Sequence, residues 1–318
     1  MSAVSKTSLG LRGVGKSRQA LWLKVTIGCA WASLVSQMVI IVTGVFVRVT
    51  ASGLGCPTWP ECMPGSYAPV TVPATAYHAW VEFGNRLLTF AVAFTALASL
   101  ASYLKLRRGR DTADTSRSLV WLASSGLTGT MIQALIGGIS VRTHLSPAWV
   151  TAHFLVSCAL LVAQTRYVHM LKPVGSLSEM GTRVGTRLGT VLVWCAGATV
   201  VVGTLVTGSG PHAGDINVTG RYPFAPVMVT SIHAVAAGAI LVCTLALLRK
   251  SRTHASRLRT NAATLLALIL AQGVVGYVQF RLALPPLMVV AHVAIAVAIW
   301  VGALRIRWFL SAKGTSLQ

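Results

Sequence analysis

The sequence predicts an all-α integral membrane protein with eight transmembrane helices, arranged as two pseudo-symmetric four-helix bundles. Of its 318 residues, 54% are hydrophobic and only 10% are charged. A soluble protein of this length would need considerably more charged surface. Several apolar runs reach the roughly 20 residues that a helix needs to cross a bilayer, and one segment of the first half of the chain recurs in the second half.

The apolar runs define eight predicted spans. Most of them are bracketed by proline, glycine or charged residues, which commonly end helices. The first is longer than the apolar part of a signal peptide and lacks a small-residue cleavage site after it, so we expect a permanent helix. The predicted spans are 25–47, 79–104, 119–141, 148–168, 188–207, 228–248, 262–280 and 287–304.

The basic residues lie almost entirely on one side of the predicted membrane. The two tails and the even-numbered connections hold 22 Lys and Arg, which the positive-inside rule assigns to the cytoplasm together with both termini. We therefore expect the formal net charge of +21 to orient the chain in the lipid of a cell membrane. We do not expect it to bind nucleic acid. The opposite, outer side holds five: Arg48, Arg86, Arg142, Arg221 and Arg281.

An internal repeat divides the chain. Residues 133–153 and 272–292 align without gaps and share Gln, Gly, Arg, Pro and His at corresponding positions. A weaker match joins residues 50–53 to 207–210. Each half has an even number of spans, so the two copies share one orientation about an axis along the membrane normal. The predicted units are a tail 1–24, a first half 25–168, a linker 169–187, a second half 188–304 and a tail 305–318.

Three histidines lie inside predicted spans, where ionisable groups usually serve function. His153, His233 and His292 each sit roughly 9–10 Å below a proline near the outer end of their helix. The matched depth of His233 and His292 predicts two axial ligands of one haem iron. No Cys or Asp lies near them in the sequence as a further ligand, which disfavours zinc or copper. The alternative is buried neutral histidines bonded to serine or carbonyl groups.

The second predicted helix carries His78, Glu82 and Asn85 at positions i, i+4 and i+7, hence on one face. Glu82 is the only acidic residue that we place in a span. Its carboxylate either moves protons beside a cofactor during oxidation or pairs structurally with Arg86.

Outer arginines and a turn-rich loop supply further candidates. Arg142 and Arg281 are repeat mates at span ends, and either reach the lipid headgroups or bind haem propionates. Arg221 is a third arginine of this kind. His212 and Asp215, in the loop before the sixth span, are either ligands or solvated residues.

The six cysteines fall into two groups. Cys56 and Cys62 lie in the first outer loop, where the compartment permits disulfides and five intervening residues can close a small ring. We predict a disulfide, which is either a structural staple or a working redox pair. The remaining four are predicted packing residues within spans: Cys29, Cys158, Cys195 and Cys243.

Taken together, these segments resemble the haem A synthase family over roughly residues 25–305. The resemblance rests on the loop GLGCPTWPEC at 53–62, the segment EFGNR at 82–86 and the loop TGSGPHAGD at 207–215. The three intramembrane histidines complete it.

The resemblance implies a permanent haem b between His233 and His292. It also implies that the first half receives haem O at His153 and oxidises its C8 methyl to a formyl through an alcohol stage. The product, haem A, serves the terminal cytochrome oxidase and its assembly. Implied partners are haem O synthase (protohaem farnesyltransferase), a thiol–disulfide protein that exchanges with the cysteine pair, and a membrane electron donor.

One position departs from the family pattern. Asn85 stands where the family has a histidine, and an amide is a poor iron ligand. Either His153 is the sole ligand in the first half, or His78 serves as the second. Asn85, His78, Arg86, Arg142 and Arg281 are therefore candidate haem contacts, with Glu82 as the candidate catalytic residue.

Two other classes of function compete. A quinol-linked electron carrier with two b-type haems needs four ligands at matched depth, and the chain shows three. A transporter also fits repeated halves and intramembrane charge, but its site is expected near the midplane, away from the outer cysteines and histidines.

Overall fold

The computed structural model describes residues 5–70, 76–108, 114–171, 183–211, 220–251 and 256–311. Within them the chain forms eight helices, each with an apolar stretch long enough to cross a membrane. The eight-span prediction is confirmed, and the protein is a multi-pass membrane protein. The helices are α1 (Ser5–Val49), α2 (Ala76–Arg107), α3 (Asp114–Arg142), α4 (Pro147–Met170), α5 (Arg183–Ser209), α6 (Pro226–Ser251), α7 (Ser256–Arg281) and α8 (Pro286–Ser311).

The helices run further than the apolar spans at one end of the bundle. Helix α1 begins at Ser5, within the predicted tail 1–24, and α8 continues into the predicted tail 305–318. The predicted linker 169–187 overlaps the ends of α4 and α5, and its residues 172–182 lie outside the described residues. Helices α2, α4, α6 and α8 all finish at one end of the bundle, and we call this end the basic end. The opposite end, which carries residues 50–70, is the loop end.

The internal repeat is visible in the backbone. The turn between α3 and α4 places His144 and Leu145 at positive φ, 50° and 57°. The turn between α7 and α8 places Ala283 and Leu284 at 56° and 63°, which are the corresponding positions of the repeat. In each turn the leucine N–H donates to a carbonyl five residues earlier at 2.8 Å. Both pairs of helices therefore join through the same turn.

One continuous core joins the two halves. Helices α1 and α4 of the first half pack against α8 of the second, and α4 also contacts α5. Leu34, Leu161 and Leu304 are essentially inaccessible in this seam. The indole N–H of Trp300 on α8 donates to the carbonyl of Cys158 on α4 at 3.0 Å, a hydrogen bond between the halves.

Polar contacts tie the helices of the first half together below the loop end. Gln164 on α4 accepts from the hydroxyl of Ser33 on α1 at 3.2 Å and donates to Ser125 on α3 at 2.9 Å. Gly126 makes room for this network, because a Cβ there would lie 3.1 Å from the Gln164 amide nitrogen. Within a bilayer such groups have no water to bind and need partners inside the protein.

Candidate functional site

His233 on α6 and His292 on α8 face each other inside the second half. Their ring centroids are 6.3 Å apart and their planes are inclined at 45°. A metal–imidazole bond is about 2 Å and a ring nitrogen lies about 1.2 Å from its centroid, so two imidazoles on opposite sides of one metal have centroids about 6 Å apart. Nδ1 of His292 is buried without a hydrogen-bond partner among the described residues. The two rings are spaced for one metal ion between them.

The donor set suits haem iron better than a bare ion. In the described part of the chain, no group of three or more His, Cys, Asp or Glu side chains gathers around a common point. Zinc and copper sites usually take three or four protein ligands. A haem iron receives four nitrogens from its porphyrin and takes one or two axial ligands from the protein. His233 and His292 therefore fit the two axial positions of a haem.

Each intramembrane histidine ring lies against a glycine on the preceding helix. A Cβ added to Gly203 on α5 would be 3.1 Å from Cε1 of His233, and one on Gly276 of α7 would be 3.2 Å from Cε1 of His292. The first half repeats the arrangement, with His153 against Gly137 on α3 at 3.1 Å. These glycines allow the rings to enter the space between helices, and we call each pair a glycine–histidine contact.

Two amides flank the glycine–histidine contact on α7. Gln272 and Gln279 stand four residues before and three after Gly276, so all three share one helical face. The side-chain carbonyl oxygens of both glutamines are buried and have no partner among the described residues. Buried polar groups are normally hydrogen-bonded, and these two carbonyls lie on the face of α7 whose Gly276 meets the His292 ring.

In the first half, hydrogen bonds from Gln133 and Ser157 hold the backbone of α4 at His153. The Gln133 amide on α3 donates to the His153 carbonyl at 3.0 Å and to the Ser157 hydroxyl. Ser157 also donates to the His153 carbonyl at 3.0 Å.

Asn85 and His78 occupy different depths on α2. Asn85 lies nine residues from the start of α2, and its Oδ1 accepts from the Thr43 hydroxyl of α1 at 2.7 Å. His78 is the third residue of the helix, and its Nδ1 is 2.9 Å from the Ser52 hydroxyl at the loop end. Seven residues separate the two by about 10 Å along the helix. Counted from the starts of their helices, Asn85 lies three residues deeper and His78 four residues shallower than His153, which is six residues after Pro147.

The cysteine loop contains the predicted disulfide. The Cys56 and Cys62 sulfurs are bonded at 2.05 Å, and both residues are fully buried. Glu82, itself 5% exposed, accepts the backbone N–H of Cys56 at 2.8 Å. Its other oxygen accepts from Arg86 at 2.7 Å, the one ion pair among the described residues.

Arg86 extends this network along the loop. Its guanidinium donates to the carbonyls of Cys56, Thr58 and Glu61 at 3.0–3.2 Å. Glu82 and Arg86 thus fasten the cysteine loop to α2. No hydrogen bond or ion pair joins Glu82 to His153 within the described residues.

A tryptophan fastens the same loop to α3. The Trp59 ring lies against Gly138, where a Cβ would come within 2.4 Å of it, and the Trp59 carbonyl accepts from Arg142 at 3.2 Å. The loop therefore bridges α2 and α3 over the loop end of the first half.

The remaining candidates of the outer side lie elsewhere. Arg281, the repeat mate of Arg142, is exposed where α7 ends at the loop end. His212 and Asp215 lie outside the described residues.

Sequence reasoning missed several of these contacts. The repeat alignment pairs Gly137 with Gly276, a signal for the glycine–histidine contacts, but Gly203 has no such mate. Thr43 and Trp59 gave no signal of their partners, since each contact depends on how separate helices meet.

An eight-helix membrane bundle with facing histidines at matched depth defines a class of membrane proteins suited to bind haem within their helices. The chain belongs to the COX15-CtaA family, described as cytochrome oxidase assembly proteins, whose family model matches residues 28–304. It is similar to the haem A synthase of Geobacillus thermodenitrificans, at 26% identity over 39% of this chain and 36% of the relative. It is 28% identical to that of Geobacillus kaustophilus over 38% of this chain and 35% of the relative. The matches thus span about a third of the length of these curated relatives.

Proposed function

We propose that this protein is a haem A synthase, a membrane oxidoreductase that converts the C8 methyl of haem O to a formyl. The observation that carries the proposal is the 6.3 Å separation of the His233 and His292 rings, which suits bis-imidazole ligation of a haem b. The family of cytochrome oxidase assembly proteins and the relatives named haem A synthase support the reaction.

The residues then take distinct roles. His233 and His292 hold haem b, which when bound supplies one-electron transfer. His153 holds the iron of the substrate haem O in the first half, where its backbone carbonyl accepts from Gln133 and Ser157 and its ring lies against Gly137. Asn85, three residues further into its helix than His153, has its side-chain carbonyl engaged by Thr43.

Glu82 remains the candidate catalytic residue. It lies one turn from Asn85 toward the loop end, where its carboxylate is held in a fixed geometry by Arg86 and the N–H of Cys56. In the proposed role it takes up or releases the proton that accompanies oxidation of the substrate methyl. Its loop contacts equally support an anchoring role, and a charge-removing variant separates the two.

The proposal extends to partners and location. Haem O synthase supplies the substrate, and cytochrome oxidase assembly consumes the product. A membrane donor supplies the electrons that are needed when dioxygen is the oxidant of the methyl carbon, and a thiol–disulfide protein exchanges with Cys56 and Cys62. The basic end faces the cytoplasm, with both termini, and the protein resides in the plasma membrane.

Haem extraction from the protein purified from cells that make haem O tests this function. We expect haem b together with haem O and haem A, and loss of the haem b fraction in His233→Ala. Haem b alone would instead indicate an electron carrier with b-type haems, and protein without haem would indicate a transporter.

A further inference from the structure

The basic end carries two arginines against one indole ring. The guanidinium carbon of Arg166, on α4, lies 4.6 Å from the centroid of the Trp308 ring on α8, and that of Arg307 lies 5.6 Å from it. Helices α4 and α8 come from different halves and pack together. The cluster of Arg166, Arg307 and Trp308 therefore sits in the seam between the halves, and we call it the seam cluster.

The charges of the seam cluster have no described counter-charge. The one ion pair in the described part of the chain is Glu82–Arg86, at the loop end. Two like charges held beside one ring repel each other unless an anion joins them. Stacking on the indole offsets only part of this cost.

The same cluster has donors without acceptors. Nη1 of Arg307 and Nε1 of Trp308 are buried and have no hydrogen-bond partner among the described residues. Thr165, next to Arg166, has a buried hydroxyl in the same condition. Arginines that only extend to the headgroups would keep these atoms in water, but here they are enclosed. The atoms lacking partners are N–H and O–H groups, which an oxygen-rich anion satisfies.

The depth of Arg166 and Arg307 and the shape of their guanidinium groups indicate which anion binds here. Arg166 and Arg307 each lie four residues before the end of their helix, which is about 6 Å of rise for both. That is the level at which helix ends meet lipid headgroups. Guanidinium forks bind phosphate oxygens bidentately, and basic pockets between transmembrane helices bind acidic lipid headgroups. A neighbouring cavity, lined in part by Trp31, Thr165 and Arg305, widens the polar region beside α8.

We propose that the seam cluster binds the phosphate of an acidic phospholipid, which bridges the two halves at the basic end. The lipid phosphate accepts from Arg166, Arg307 and the Trp308 indole and neutralises the paired charges. This site is independent of the proposed haem chemistry.

Native mass spectrometry of the purified holoprotein tests the site, with phosphatidylglycerol and phosphatidylcholine as probes. We expect phosphatidylglycerol to be retained, and Arg166→Gln/Arg307→Gln to weaken it about tenfold or more, since hydrogen bonds to charged groups are lost. The matched control Arg249→Gln/Lys250→Gln removes the same charge from the end of α6 and should retain the lipid.

A second substitution tests the site without changing either charge, in case the double variant does not fold. Trp308→Phe keeps an aromatic ring and both charges but removes the indole N–H, and should weaken phosphatidylglycerol binding several-fold while haem content stays unchanged. Equal loss in the Arg249/Lys250 control would show diffuse attraction and overturn the site. Unchanged retention in the Arg166/Arg307 variant would do the same. Occupancy by inorganic phosphate, with no lipid retained, would overturn the assignment to a lipid.

Discussion

Helix α7 contains two glycines, less than one turn apart, that meet different surroundings. A Cβ on Gly276 would lie 3.2 Å from Cε1 and 3.5 Å from Nδ1 of His292, whereas one on Gly273 meets nothing within 4 Å. Nonbonded carbons prefer a separation of about 3.5–4.0 Å. In Gly276→Ala the His292 ring or α7 must therefore move by about 0.3 Å or more, while Gly273→Ala requires no movement.

The two variants isolate this contact. Both replace glycine by alanine inside one helix and gain up to about 1 kcal/mol of helix propensity. Only Gly276→Ala adds overpacking, which costs about 1–3 kcal/mol. The strain lowers haem affinity so far as bound haem requires the His292 ring in its wild-type position, and since 1.4 kcal/mol is a factor of about ten in an equilibrium constant, haem b binding should weaken by up to about a hundredfold. We expect Gly203→Ala, which meets His233 at 3.1 Å, to behave in the same way.

The assay is haem titration of the purified protein, followed by absorption and electron paramagnetic resonance spectra of the low-spin form. Gly276→Ala should lower affinity or alter the low-spin signal, and Gly273→Ala should match wild type. A Gly276→Val variant extends the series with a larger side chain. If both Gly276 variants bind haem with wild-type affinity and spectrum, His292 does not ligate iron from its position beside this glycine, and the reasoning fails.

Three further outcomes follow from the first half. Glu82→Gln keeps the size of the side chain and removes its charge, so extracted haems should show haem O accumulating over haem A; complete loss of haem would make Glu82 an anchor only. Thiol labelling of unfolded protein should rise by two groups per chain after reduction, since Cys56 and Cys62 are bonded, and equal labelling with and without reductant would contradict this. Wild type should show a high-spin haem that Asn85→His converts to low spin; a spectrum that responds to His78→Ala instead would identify His78 as the second ligand.

Hydropathy predicted the helices because membrane crossing imposes its own length and composition on a sequence. It did not predict where they end. The span expected at 25–47 belongs to a helix that begins at Ser5. Helical backbone continues beyond the bilayer wherever local propensity allows, and apolar composition stops at the headgroups. The apolar pattern therefore predicts which residues lie inside the membrane more accurately than it predicts where each helix begins and ends.

The candidate site was predictable only in part, for a related reason. A histidine in an apolar span stands out in the sequence, so His153, His233 and His292 could be selected without a structure. The contact of Gly203 with His233 joins residues 30 apart on two helices. Likewise, the carboxylate of Glu82 meets an N–H 26 residues earlier. Such pairs arise from helix packing, which composition and periodicity do not encode.

The two halves share the turn between their third and fourth helices but differ at one ligand position, and this difference bears on the proposed reaction. In the second half, two imidazoles lie at the spacing required to ligate one iron from both sides. The first half offers His153 on one side and, near its depth, Asn85 with its carbonyl engaged by Thr43. A cofactor that only transfers electrons benefits from two strong ligands. A haem that must enter, react and leave benefits from one. We therefore infer that, in this chain, the second half retains its haem and the first half releases the haem on which it acts.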